Sequence, residues 1–345
     1  MSGTSLDGID AALIETDGYS YVKPLEFITR SFDEAQRARI RSAFGSRERD
    51  IVVEGIVTAA HINILREAGW SADVIGFHGQ TIFHAPEDGL TIQLGDGAAM
   101  ASALGIPVVN DFRSADVAAG GQGAPLAPLY HQARALSSDA DLPCAILNIG
   151  GVANVTWLDG VDVLAFDTGP GNALMDDWAQ KRLDCPYDAD DALAAAGTPI
   201  EDMLSEWLGH DYFAAEPPKS LDRDEWDIAD FGHVAKDMSE ISDEDGAATL
   251  LEFTARSIAA STRFMSEPPK RWYVCGGGRH NGALMARLSR ELPIEPVETL
   301  GWNGDATEAE CFAYLAVRSL LGEPLSLPST TNVAKPITGG VLNKV

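Results

Sequence analysis

VDVLAFDTGPGN, residues 161–172, is an apolar run that stops at an acid and at two glycines held apart by a proline. The run predicts a strand over 161–166, with Asp167 projecting at its C-terminal end, where α/β proteins place ligands. Gly169 and Gly171 allow the main chain to come close to a bound group. A helix is expected from near Asn172, so Asp167 reads either as a functional carboxylate or as that helix's cap.

The same pattern recurs at both ends of the chain. SGTSLDG (2–8) leads into an apolar run at 11–14 and reads as the turn of a hairpin; CGGG (275–278) ends a strand at 272–275. Successive glycine N–H groups suit phosphate oxygens. The sequence contains no GxxxxGK[ST], and no GxGxxG follows a first strand, so the phosphate site belongs neither to a P-loop nor to a dinucleotide fold. Between these turns Val53, Ile56, Val57, Ala60 and Ile64 recur at helical spacing, followed by strands at 74–77, 108–109, 145–149 and 152–158. Helices are expected from 247 onward and over 306–321. The stretch 110–128, dense in Gly, Pro and charge, reads as irregular, and the acidic stretch 184–245 has weak periodicity. The end of the chain reads as a Pro- and Thr-rich tail.

A chain of 345 residues exceeds one ordinary core, which favours two lobes with a cleft between them. The 52 acidic residues against 25 basic give a net charge of −27, which argues against nucleic-acid binding; an anionic substrate such as ATP would have to enter with its charge partly masked, which favours a bound Mg²⁺. Four scattered cysteines indicate neither a zinc site nor a disulfide framework. No apolar stretch is long enough to span a membrane and no signal peptide is visible, so a cytoplasmic protein is expected.

MSGTSLDGID (1–10), GFHGQTIFH (76–84), NDFRSADVAAGGQGAPLAP (110–128), LNIGGVANVT (147–156), FDTGPGNALMDDW (166–178), PPKSLDR (217–223), VCGGGRHNGALM (274–285) and EAECFAYLAVR (308–318) together resemble the anhydro-N-acetylmuramic acid kinase family over almost the whole chain. The resemblance implies a two-lobed α/β fold of the actin-like ATPase (ribonuclease H-like) type with its active site in the interdomain cleft. Residues 1–128 with about 306–345 would form the N-terminal lobe, and 129–305 the C-terminal lobe. Family members usually carry several residues ahead of MSGTSLDG that complete a first strand, which bears on the first hairpin.

The activity implied is an ATP-dependent opening of the sugar's 1,6-anhydro ring by water, with transfer of the γ-phosphoryl group to the released O6. Asp167 would activate the water. ATP phosphates would meet Gly3, Thr4, Ser5, Leu6, Asp7, Gly8, Ile9, Asp10, Gly169, Gly171 and Asn172, with Asp7 or Asp10 holding Mg²⁺ through water. Adenosine would lie on Gly276, Gly277 and Gly278 near Asn281. The sugar pocket would draw on His78, Gly79, Gln80, Thr81, Asp111, Arg113, Asp116 and Glu308, in a homodimer. Plainer readings stand beside these: an Asx turn at Asp7, a structural His78, an ion-paired Arg113 and a helix-entry turn at 276–278. An ordinary hexose or amino-sugar kinase and a non-catalytic ATP-binding regulator are the alternative functions.

Overall fold

The computed structural model describes residues 1–3, 6, 8–185, 188, 192–221 and 241–345 of the chain. These form two units, one joining Met1–Asp139 to Ala306–Val345 and the other comprising Ala140–Asp305. The division falls after the helix Pro128–Ser137, not before it as the sequence suggests. That helix buries Leu129, Tyr130 and Ala133 in one core with Cys311, Tyr314 and Leu315 of the helix Thr307–Leu321, and the Tyr130 hydroxyl donates to Glu310. Apolar burial of this kind, worth roughly 25 cal/mol per Å², outweighs the irregular composition of the preceding loop.

In the first unit β1 (Gly8–Thr16) and β2 (Val22–Ser31) form the expected hairpin, antiparallel from Gly8↔Ser31 to Thr16↔Val22. Asp17 shapes its turn by accepting from the N–H groups of Tyr19 (2.8 Å) and Tyr21 (3.0 Å). The helix Ile51–Ala68 begins where Asp50 accepts from Val52 and Val53, ends at left-handed Gly69, and buries Val53, Val57 and Ile64. β3 (Ile75–Phe77) runs parallel to β6 (Val108–Asn110), and β4 (Gln80–Ala85) pairs with β5 (Leu90–Leu94) as a second hairpin. The tail is not all coil: β12 (Val341–Asn343) returns antiparallel to β6. A Cβ on Gly76 would lie 2.0 Å from the Phe312 carbonyl oxygen, so only glycine lets β3 pack on the helix Thr307–Leu321. The stretch expected to be irregular contains one short helix, Ser114–Ala118.

The second unit is built on a five-stranded sheet in the order β11 (Ile294–Pro296), β10 (Arg271–Cys275), β7 (Cys144–Ile149), β8 (Val152–Asp159), β9 (Asp162–Pro170). β11, β10 and β7 are parallel, whereas β8 is antiparallel to both its neighbours. The C-terminal ends of β7, β9 and β10 therefore share one edge. β7 is apolar almost throughout, as a strand covered on both faces must be. Phe166, Trp178, Trp207, Phe253 and Trp272 form the surrounding core, with Phe253 packed edge-on against Trp207 and Phe213. The helix Asp243–Ala260 starts earlier than its apolar pattern because Ser242 caps it and three acids occupy its first turn. Within the acidic stretch, Leu204 and Trp207 of the helix Glu201–Leu208 are buried three residues apart. Cys144, Cys275 and Cys311 are buried and Cys185 is exposed, all as free thiols. Among the described residues no helix is long and apolar enough to cross a membrane.

Candidate active site

Three glycine turns meet at the shared edge of the second unit. Gly150 and Gly151 join β7 to β8, and their carbonyls receive the N–H groups of Asn172 (2.7 Å) and Gly171 (2.8 Å). A Cβ on Gly171 would lie 2.2 Å from the Gly150 oxygen, and one on Gly276 would lie 2.3 Å from Asn148 Oδ1. Gly278 is closed by Ile149 and lies beside Asn172, while nothing stands within 4 Å of the position a Gly277 Cβ would take. The turns are thus locked to each other by backbone, with an open face at Gly277. Gly150 and Gly151 are not among the residues the sequence predicts for the site; their signal is a Gly-Gly step between two apolar runs. Asn172 heads the helix Ala173–Leu183 without a side-chain cap bond, and its buried Oδ1 has no hydrogen-bond partner. Such a group is costly unless a ligand or water satisfies it, by about 1–3 kcal/mol. Asn281 does act as a cap: its Oδ1 accepts from Leu284 N–H at 2.7 Å.

Asp167 sits inside β9 rather than beyond it. The strand runs on to Pro170, and between the pairs Asn154↔Asp167 and Ala153↔Gly169 the extra residue is Thr168, so the strand bulges next to the carboxylate. Gly169 takes φ 152° there, and a Cβ would press on Ser257 Oγ at 2.8 Å. Asp167 is not the helix cap. Its Oδ2 accepts from Leu221 N–H (2.8 Å), its N–H donates to the Lys219 carbonyl (2.9 Å), and the Tyr212 hydroxyl donates to its carbonyl (2.6 Å). The side chain keeps some access to solvent but is surrounded by protein, and that burial raises its pKa to about 7 against the pull of the Leu221 N–H. A carboxyl poised near neutrality can take up a proton and release it again.

The first unit carries the remaining candidates. Thr4, Ser5 and Asp7 lie outside the described residues. Gly3 accepts from Leu6 N–H (3.3 Å), and Leu6, in the left-handed region at φ 58°, is wholly buried. Ile9 is also in the core, so neither Leu6 nor Ile9 can offer a side chain to a ligand. A Cβ on Gly8 would strike the Arg30 carbonyl at 2.4 Å. Gln80 Nε2 donates to Gly3 O and to Thr81 O, both at 3.2 Å, which ties the first turn to β4. Gly79, at φ 74°, lies under the Leu94 carbonyl, where a Cβ would come within 2.3 Å.

His78 is buried against Phe312, ring to ring at 4.3 Å. Its Nδ1 lies 3.0 Å from the Gly79 carbonyl and its Nε2 3.0 Å from Arg113 Nε, which fixes a neutral ring protonated on Nδ1. Burial and the Arg113 charge hold His78 well below the usual histidine range. Arg113 also donates to Gly123 O (2.7 Å) through Nη1, and among the described residues its Nη2 has no hydrogen-bond partner. Glu308 keeps contact with solvent; burial raises its pKa, Arg113 lowers it and Asp10 raises it again. Asp116 is different. It is buried and accepts from Gly123 N–H (2.6 Å), Thr331 Oγ1 (2.6 Å) and Ser326, so its carboxylate is spent on shaping the loop.

His78 and Asp111 line a cavity of about 310 Å³ with Thr91, Gln93, Asn110 and Ser114, a hydroxyl- and amide-rich wall suited to a sugar. Gln93 donates to Thr81 Oγ1 (3.3 Å), and Ser114 donates to left-handed Asp111. Arg113, Asp116 and Glu308 do not line it. A larger groove of about 500 Å³ beside β1 shares only Ile9 and Asp10 with the expected residues, so volume alone does not mark the site.

The model of the anhydro-N-acetylmuramic acid kinase family matches residues 1–344. A relative of that name from Rhizorhabdus wittichii is 51% identical, with 100% of this chain and 97% of that protein covered. One from Rhodospirillum rubrum is 50% identical over 99% of this chain and 92% of that protein. Among solved structures, a ROK family glucokinase from Streptomyces griseus in complex with glucose and AMPPNP covers 90% of this chain and 96% of its own at 13% identity and a TM-score of 0.40, too distant to weigh further. With a match over nearly every residue and relatives at half identity, the chain belongs to the anhydro-N-acetylmuramic acid kinase family.

Proposed function

We propose that this protein is an ATP-dependent kinase that opens the 1,6-anhydro ring of 1,6-anhydro-N-acetylmuramic acid with water and phosphorylates O6, giving N-acetylmuramic acid 6-phosphate for peptidoglycan recycling. The observation that carries this reading is a family match over residues 1–344 in a chain whose Asp167 is held by the Leu221 N–H and pushed by burial to a pKa of about 7. Asp167 takes a proton from the water that attacks the anomeric carbon; the C1–O6 bond breaks, and O6 attacks the γ-phosphorus as its bond to ADP breaks. The base works only as the carboxylate, so turnover should rise as pH passes through about 7.

The glycine turns Gly150–Gly151, Gly169–Asn172 and Gly276–Gly278 present backbone to the nucleotide, and the unpaired Asn172 Oδ1 is an acceptor for it. His78, Asp111 and Gln93 line the cavity proposed for the sugar, and Arg113 fixes the His78 ring from behind it through Nε. Asp116 and Gln80 shape these loops and need not touch ligand. No cluster of three or more metal-binding side chains occurs among the described residues. Mg²⁺ bound to ATP phosphates needs few protein ligands, and Asp10 with Glu308, whose carboxylates repel, fits that requirement. Bound there, Mg²⁺ would neutralise charge on the transferred phosphoryl group. A homodimer in the cytoplasm is part of the same proposal.

The test is to incubate the protein with Mg-ATP and the anhydro sugar, with glucose and N-acetylglucosamine in parallel, and to weigh the products. Gain of water plus a phosphoryl group on the anhydro sugar alone is expected. Phosphate on an open sugar only would support an ordinary kinase, and no transfer would support an ATP-binding regulator.

A further inference from the structure

We propose that Lys219 and Tyr212 are positioning residues that hold the Asp167 carboxylate for catalysis, through a closed ring of hydrogen bonds around its backbone. This rests on Asp167 being the base. The ring has three members. Asp167 N–H donates to Lys219 O (2.9 Å), Lys219 Nζ donates to Tyr212 O (2.8 Å), and Tyr212 Oη donates to Asp167 O (2.6 Å). Two residues beyond Lys219, Leu221 N–H reaches the carboxylate itself at 2.8 Å.

The ring answers a structural need. Among the described residues β9 is the last strand of its sheet, so the outward N–H and C=O of Asp167 have no strand to pair with on the side away from β8. A free edge beside a bulge would leave these backbone groups unpaired and the carboxylate without a second support. The strap at 219–221 takes the place of that missing neighbour. Lys219 is what fastens it: its ammonium lies over the rings of Tyr212 (4.7 Å) and Phe264 (4.5 Å), and Phe264 in turn meets Phe166, the residue before Asp167, edge-on at 5.6 Å. A lysine held by carbonyls and two aromatic faces, with burial lowering its pKa to about 8, is built into the fold rather than solvated.

Among the described residues, the charged groups that act on Lys219 are Glu216 and Arg263, and Arg263 stacks on Phe264 and donates to Phe213 O; the Tyr212 phenol is the titratable member of the ring itself. The Asp167 carboxyl itself is governed by burial and by the Leu221 N–H. Loosening the strap therefore weakens the bond that favours the carboxylate, moving its titration upward.

The experiment measures kcat and KM from pH about 5.5 to 9 for the wild type, Lys219→Met, Lys219→Arg, Tyr212→Phe and Asp167→Asn, with thermal melting alongside. Lys219→Met should lower kcat about tenfold or more, leave both KM values within about twofold, and shift the acidic limb to higher pH. Tyr212→Phe should do the same to a smaller degree, and Lys219→Arg should recover part of the loss. Unchanged kcat and acidic limb in folded Lys219→Met and Tyr212→Phe, with Asp167→Asn inactive, overturns the ring and leaves the base standing. If Lys219→Met does not fold, Tyr212→Phe, which removes one oxygen, decides alone. Full turnover in Asp167→Asn removes the base and this proposal together.

Discussion

Asp167→Asn should make the protein more stable as it makes it inactive. Burial raises the Asp167 pKa to about 7, whereas an unfolded aspartate titrates near 3.9. Because the folded-state value is the higher one, stability is fullest below the unfolded pKa and is lost as pH climbs through the window up to about 7. A gap of about three pH units at 1.36 kcal/mol each sets a ceiling of about 4 kcal/mol on the cost of ionising this group in the fold. Solvent access at the side chain reduces it, and about 2 kcal/mol is the expected effect above neutrality. An asparagine never ionises, keeps nearly the same shape, and can still accept from Leu221 N–H with its Oδ1.

The assay is calorimetry of wild type and variant at pH about 4, 6 and 8, following the transition of the second unit. At pH about 4 the two proteins should melt together, and at pH about 8 the variant should melt roughly 4–8 °C higher, given about 2–4 °C per kcal/mol for a unit of this size. The pH trend is the discriminating part, because a packing change would shift the melting point equally at every pH. Equal melting at pH about 8, or a difference independent of pH, would refute the claim that burial governs this carboxylate, and with it the assignment of a base poised near neutrality.

Gly171→Ala places a Cβ 2.2 Å from the Gly150 carbonyl, a backbone atom that cannot step aside, so it should weaken ATP binding tenfold or more and cost about 1–3 kcal/mol; nucleotide titration and melting check both. Asp116→Ala strips the acceptor from Gly123, Ser326 and Thr331 and should destabilise the first unit by about 2–4 kcal/mol; kcat per folded molecule should change less than the melting point. Arg113→Met frees His78 Nε2 from a neighbouring cation, so the ring should titrate at higher pH by NMR while the sugar KM rises more than kcat falls.

The architecture was largely legible because its segments carry strong local patterns. The apolar runs at 145–149 and 152–158 form β7 and β8, the spaced Val53, Val57 and Ile64 form the buried face of a capped helix, and Trp272 to Cys275 lie in β10, between β11 and β7. Three features escaped for physical reasons. The helix Pro128–Ser137 belongs to the first unit because it packs on the helix Thr307–Leu321, and a partner whose Glu310 stands 180 residues beyond Tyr130 leaves no local signal in the sequence. β12 is three residues of ordinary composition, made a strand solely by the free edge of β6. The helix Glu201–Leu208 hid in an acidic stretch whose charges mask the spacing of Leu204 and Trp207.

At the candidate site, a close backbone approach at a glycine is easier to read from sequence than what surrounds a carboxylate. A glycine is readable because its place is dictated by backbone contacts so short that no other residue fits, as at Gly171 and Gly276. A carboxylate's role depends on what surrounds it, which sequence does not print. Asp116 and Asp167 look alike in their motifs, each among glycines and small residues. Asp116 meets three donors and becomes a structural acceptor; Asp167 meets one N–H and a wall of protein, and becomes a titrating group near neutrality. The difference follows from the count of donors against the degree of burial: donors favour the charged form and burial opposes it. An added donor at Asp167 would depress its pKa, at the expense of its capacity to take a proton from water. The bulge at Thr168 and the single bond from the Leu221 strap keep that count low while still fixing the carboxylate in direction.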